Sequence, residues 1–178
     1  GNFFLKLLTL IITVIDSGNK FKIVKFFKLK FKKDYICVFD IGAHKGETID
    51  LFCKNFNVSK ILSFEPNRNL FQILSSKKKY QSDKIKLFNI GFGKKSGTVE
   101  LKIFNDTSSS TINDLNENTQ YFKRKKKFMS FFLNNEKILK EKQKVKIENF
   151  SEFILKQEIN KIDILKIDTE GYEYNIFQ

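Results

Sequence analysis

Apolar residues follow two rhythms along this chain. Tyr35 to Phe39, Ile61 to Phe64, Ile85 to Asn89 and the run IDILKI that leads to Asp168 are short and nearly unbroken, the pattern of strands buried on both faces. Between them the spacing turns helical. ETIDLFCKNF follows the first run, and residues 67–79 follow the second, with Asn67 as cap and Leu70, Phe71, Ile73 and Leu74 predicted to face a sheet. Strand, helix and strand in alternation predict an α/β domain around a mostly parallel sheet. Residues 85–101 read as a strand, a glycine turn and a second strand, and KVKIENF as another strand. Residues 105–120, rich in Asn, Ser and Thr, read as a loop. Residues 121–142 read as a charged helical insertion covering the substrate side.

The amino-terminal part is patterned differently. Residues 3–15, FFLKLLTLIITVI, are the most hydrophobic stretch. As a helix they reach about 20 Å, short of the roughly 30 Å hydrocarbon core of a bilayer. Only Gly1 and Asn2 precede them, so the basic segment of a signal peptide is not in view. After the linker 16–19, residues 20–33 interleave Phe, Ile and Leu with Lys, and Ile23, Val24, Phe27 and Phe31 share one helical face. Two readings stand for residues 3–33, packing against the domain or peripheral contact with a membrane surface.

The rarest residues mark the candidate chemistry. The single alanine and single histidine, Ala43 and His44, fall in VFDIGAHKGE, and the single proline, Pro66, falls in ILSFEP. A buried strand thus ends in Asp40, turns through Gly42 and Gly46, and enters a helix. Glycine suits a turn whose backbone must approach a ligand closely. The next strand delivers Glu65, and a carboxylate about 20 residues past such a turn is placed to accept hydrogen bonds from ribose hydroxyls. The dinucleotide fingerprint G-x-G-x-x-G fails, because His44 and Glu47 stand where two of its glycines belong.

Asp-x-Gly-x-His-x-Gly resembles motif I of the class I S-adenosylmethionine methyltransferases, with His44 in place of the middle glycine. The order DIGAHKGE, FEP, NIGFGKKSGTVEL, KIENFSEFI and DILKIDTEGYE resembles the FkbM family of methyltransferases over about residues 35–178. Gly91 stands where that family more often has alanine, and Lys94 where an acidic residue is common. The resemblance implies a Rossmann-like, three-layer αβα fold with a mostly parallel sheet of seven strands. Four are placed here, so the carboxy-terminal strands are expected to be missing and the strand ending at Asp168 to be left as an apolar edge. It divides the chain into a helical segment, 1–34, and a methyltransferase domain, 35–178. It also implies S-adenosyl-L-methionine as cofactor, with Asp40, Gly42, Ala43, His44 and Gly46 around the methionyl end, Glu65 on the ribose, and Asn89, Ile90 and Gly91 beside the adenine. SSSTIN would lie near the mouth of the cleft. The implied reaction is O-methylation of a hydroxyl on a sugar, glycan or small metabolite. A general base is sought in Asp168 first, then Glu170, then His44, with Glu173 structural or on the substrate side. Each of the first three has a structural alternative: Asp168 fixing a loop, Glu170 capping a helix, His44 packing over the cofactor.

Composition adjusts this picture modestly. The net charge of +13 is carried almost wholly by lysine, with arginine only at Arg68 and Arg124. A solvated lysine surface is therefore preferred to a nucleic-acid site, with KRKKK at 123–127 as the run best suited to an anionic partner. Cys37 and Cys53 form no zinc or disulfide pattern and are expected to be buried thiols of a reducing, cytoplasmic setting. No metal site is expected. Two alternatives remain at this level: a nicotinamide-dependent oxidoreductase, and a non-catalytic basic module docking on membrane or nucleic acid.

Overall fold

A computed structural model of the chain describes residues 20–32, 34–104, 110–111, 139–169 and 176. In chain order the described elements are helix α1 (residues 20–31), β1 (Ile36–Ile41), α2 (Glu47–Asn55), β2 (Val58–Phe64), α3 (Arg68–Ser75), β3 (Ile85–Phe88), β4 (Gly91–Gly93), β5 (Gly97–Phe104), β6 (Ser110–Thr111), β7 (Leu139–Asn149), α4 (Phe150–Lys156) and β8 (Ile164–Ile167). β3, β2, β1 and β8 form one sheet in that order, every pair parallel. These are the four predicted strands.

Alternation along each strand divides the core into two layers of side chains. Ile36 and Val38 of β1, Ile61 of β2, Ile85 of β3 and Ile164 of β8 pack with Ile49 and Phe52 of α2 and Leu74 of α3. On the opposite face, Phe39, Ile41, Leu62 and Phe64 pack with Ile90, Phe92 and Phe153 of α4. Helices on both faces give the Rossmann-like three-layer arrangement. Phe64 is the aromatic centre, with the rings of Phe39, Phe88, Phe92 and Phe153 at centroid distances of 5.5, 5.1, 4.7 and 5.2 Å. Beyond area burial, each such pair contributes about 0.5–1.5 kcal/mol.

A second sheet, in the order β4, β7, β5, β6, stands beside the first. β5 and β7 run antiparallel, and β4 joins β7 in parallel. The glycine turn expected after β3 is therefore itself a short strand, Gly91–Gly93. Leu139–Lys142, expected in a helix, is the first part of β7, paired with the end of β5. Charged residues suit the solvated end of a strand as well as a helix, and Lys142 reaches Glu100 of β5 at 2.9 Å. The rest of the expected insertion, residues 121–138 with KRKKK, lies outside the described residues. Within the expected loop, Ser110–Thr111 pairs with β5.

Three smaller expectations are corrected. Ile73 is 47% exposed, because the i, i+4 pair Leu70 and Leu74 already fills the face of α3 that meets the sheet. Ile23 is also exposed, whereas Val24 is buried and Phe27 and Phe31 of α1 pack against the α2 side of the core. Cys53 is exposed and Cys37 half-buried, so neither thiol is fully enclosed. On the outer surface of α1, Phe21, Phe26 and Leu29 stand exposed among Lys22, Lys25 and Lys28. Among the described residues no helix is long and apolar enough to cross a membrane. Residues 1–19 lie outside that description.

Candidate functional site

The carboxyl ends of β1, β2, β3 and β8 meet at one edge of the parallel sheet, where open α/β folds bind ligands. β1 leads there into the turn 42–46. Gly42, His44 and Gly46 all have left-handed backbones, with φ of 82°, 49° and 90°. His44 thus occupies a glycine-type conformation, which histidine adopts more readily than β-branched residues. We predict that His44→Val lowers stability by about 1–2 kcal/mol while His44→Gly is tolerated, as read by urea unfolding.

The turn is held on every side. Gly42 and Ala43 donate their N–H groups to the Phe64 carbonyl at 2.9 and 3.0 Å. Ala43 is itself a core residue, 2% exposed. Tyr80 donates its hydroxyl to the Gly46 carbonyl at 3.0 Å, and Lys77 donates to the Lys45 carbonyl. A Cβ on Gly42 would stand 1.9 Å from the backbone oxygen of Asp168, and one on Gly46 would strike the Tyr80 ring. The first glycine therefore lets β8 close onto β1, and the second admits Tyr80.

Glu65 directly follows β2 and is 6% exposed. One carboxylate oxygen accepts from the His44 N–H at 2.8 Å and the other from the Asn67 N–H at 2.9 Å. Burial raises its pKa above the ordinary value, against the two backbone donors that lower it. Asn67 caps α3 as predicted, accepting from the N–H groups of Asn69 and Leu70. Glu65 therefore joins the glycine turn to the start of α3.

Beyond β3, Asn89 donates its amide to the carbonyls of Glu65 at 2.8 Å and Pro66 at 3.1 Å. Ile90 points into the core, 7% exposed, so only its backbone is placed to meet a ligand. Gly91 packs against Ile147 and Pro66, and a Cβ there would meet Ile147 Cδ1 at 2.8 Å. That contact is the end of a flexible side chain, so Gly91→Ala is expected to cost about 1 kcal/mol in thermal or urea unfolding and leave the fold intact. A cleft of about 550 Å³ opens here, lined by Pro66, Arg68, Asn89, Thr98, Lys144 and Ile147 among others.

Asp40 is fully buried beneath the turn. Lys166 Nζ lies 3.2 Å from its Oδ1, but neither Asp40 oxygen has a hydrogen bond of ordinary geometry, and neither does the buried hydroxyl of Ser63. Burial pushes the Asp40 pKa up to about 6, with Lys166 and Thr48 pulling it down. Asp168 follows β8, its side chain 67% exposed and its N–H donated to the Ile41 carbonyl at 2.9 Å. The His44 ring is 34% exposed, with Nδ1 3.6 Å from Glu47. Asp40, the turn, Glu65 and Asp168 are thus brought to one edge. Glu170 and Glu173 lie outside the described residues, and among those described no three His, Cys, Asp or Glu side chains converge as a metal site.

Sequence reasoning missed Lys166, Tyr80 and Lys77, which grip the carbonyls of the turn. Lys166 alone left a signal, as a lysine inside the otherwise apolar run ILKI.

The family model described as the Methyltransferase FkbM domain matches residues 40–178. Neither the curated proteins nor the solved structures yield a match. The match begins at Asp40 and takes in the turn, Glu65 and β8, the elements that build the edge just described. The chain belongs to the FkbM family of methyltransferases.

Proposed function

We propose that the chain transfers a methyl group from S-adenosyl-L-methionine to a hydroxyl oxygen on a sugar, glycan or small metabolite. The observation that carries this reading is the junction of Glu65 with the left-handed turn. Each Glu65 oxygen takes one backbone N–H, which leaves acceptor capacity on both for the two ribose hydroxyls of an adenosine. A sulfonium cofactor has no pyrophosphate, so a histidine side chain at position 44 does not obstruct it as it would a dinucleotide. The cleft beside Pro66 and Asn89 also fits a nucleoside ligand. When bound, the cofactor supplies an electrophilic methyl group.

The residues of this chain do the rest by placement. Glu65 orients the ribose, the turn shapes the path of the methionyl chain, and the adenine lies toward Asn89 and Gly91. Asp40, wholly enclosed, acts on the turn rather than on the ligand. Asp168 stands at the mouth, exposed and next to the turn, where a carboxylate takes the proton of an attacking hydroxyl. Incubation with cofactor labelled in its methyl group and panels of hydroxyl, amine and carboxyl acceptors tests the reading. Label is expected in ether linkage. Label on nitrogen alone would overturn the oxygen assignment.

The outer surface of α1 favours a second, compatible reading, peripheral contact with an anionic bilayer. Co-flotation with phosphatidylserine vesicles that weakens in salt is expected. Equal recovery with neutral vesicles would contradict the electrostatic part.

A further inference from the structure

Lys166 occupies an unusual place. β1 and β8 pair in register so that Asp40 stands opposite Lys166, and β1 and β2 so that Asp40 stands opposite Ser63. Parallel register puts the three side chains on one face, in a row that crosses β8, β1 and β2 under the glycine turn. The row is polar where the same face of the sheet otherwise carries Ile36, Val38, Ile61 and Ile164. Lys166 is also the residue that leaves it: Nζ donates to the Gly42 carbonyl at 2.6 Å and stands 3.2 Å from Asp40 Oδ1 and 3.8 Å from Asp168 Oδ2. One ammonium with three protons thus faces the turn, the buried acid beneath it and the exposed acid at the mouth.

We propose that Lys166 is a positioning residue, which keeps Asp40 ionised under the turn and holds the Gly42 carbonyl so that the turn presents its cofactor-binding shape. The ligand part rests on the cofactor reading above. An isolated carboxylate at the depth of Asp40 is strongly disfavoured without a charge partner. Lysine suits the task better than arginine, because three acceptors surround a point charge and no planar pair is offered to a guanidinium fork.

The groups facing Asp40 are Thr48 from α2, Ser63 from β2 with Glu65 just after it, and Lys166 from β8 with Asp168 just after it. Its folded pKa is raised from 3.8 to about 6, so the stability this group contributes is full below about 4 and lost as pH rises through 6. Removing the Lys166 charge is expected to move that loss to higher pH.

The test uses the full chain, with Lys166→Met, Lys166→Arg, Asp40→Asn and the double variant Asp40→Asn/Lys166→Met. Carboxyl-carbon NMR is expected to show the Asp40 midpoint rising in Lys166→Met and returning toward the wild-type value in Lys166→Arg. Calorimetry with S-adenosylhomocysteine is expected to show roughly tenfold to a hundredfold weaker binding for Lys166→Met at neutral pH, with only partial recovery in Lys166→Arg. In the Asp40→Asn background the further effect of Lys166→Met is expected to shrink. Unchanged affinity together with an unmoved midpoint in Lys166→Met overturns the assignment. If wild type binds no S-adenosylhomocysteine but the midpoint moves as stated, the cofactor reading falls and the Asp40 pairing stands. Should Lys166→Met fail to fold, a folded double variant supports the pairing, and a double variant as unfolded as the single one overturns it.

Discussion

Gly42→Ala is expected to be the most damaging single substitution in the turn. Its Cβ would lie 1.9 Å from the Asp168 carbonyl oxygen, a backbone atom fixed by the β1–β8 ladder, and its φ of 82° is strained for any side chain. The left-handed backbone costs about 1–2 kcal/mol. Overpacking against an atom that cannot rotate away adds roughly 1–3 kcal/mol. Among the described residues β8 pairs with β1 alone, so relief comes by moving it off β1. Its first effect is then on the site, through lost contacts of Lys166 and displacement of Asp168. Urea unfolding is expected to show a loss of about 2–5 kcal/mol, and amide exchange to show β8 deprotected before α2. Wild-type stability and β8 protection in Gly42→Ala would mean that this edge is looser than described.

Glu65→Gln is expected to have the largest effect on ligand binding with the least effect on fold. The amide keeps the shape and one oxygen acceptor, but turns an N–H₂ group toward a backbone N–H that the second carboxylate oxygen now satisfies. Hydrogen bonds to a charged group contribute about 1.5–3 kcal/mol each, so losing the charged acceptor at one ribose hydroxyl weakens S-adenosylhomocysteine binding by roughly tenfold to a hundredfold. Stability is expected to change far less. Burial raises the Glu65 pKa, so its charge is costly in the folded state at neutral pH, and removing it offsets part of the lost bonding. For the same reason the substitution is expected to flatten the fall of stability that this group imposes as pH rises through its folded pKa. Titration calorimetry and urea unfolding across pH measure both. Affinity unchanged by Glu65→Gln would remove Glu65 from the ribose.

Much of this edge was legible because it is built from strongly patterned pieces. The apolar runs at β1, β2, β3 and β8 leave few alternatives to a buried parallel sheet, and their carboxyl ends carry Asp40, Glu65 and Asp168. The spacing of Gly42, His44 and Gly46 anticipated a special turn, and their left-handed backbones account for it. What was not legible depends on partners far away in the chain. Lys166 reads as one tolerated lysine until the register of β8 on β1 sets it opposite Asp40. Tyr80 lies in a short 3₁₀ turn with no motif of its own, and its role follows from the absence of a side chain at Gly46. The opening of β7 misled because LKEK is as compatible with a solvated helix as with a strand end, and pairing with β5 decides between them. Ile73 and Ile23 misled for a simpler reason: apolar spacing alone does not say how wide a helix face the core will cover.

The central claim is that the edge formed by the 42–46 turn, Glu65 and Asn89 holds an adenosyl cofactor. Calorimetric titration of the folded full chain with S-adenosylhomocysteine, beside a nicotinamide dinucleotide, tests it most directly. Micromolar binding of S-adenosylhomocysteine with none of the dinucleotide is the predicted result. Heat from the dinucleotide alone, or from neither ligand, would contradict it.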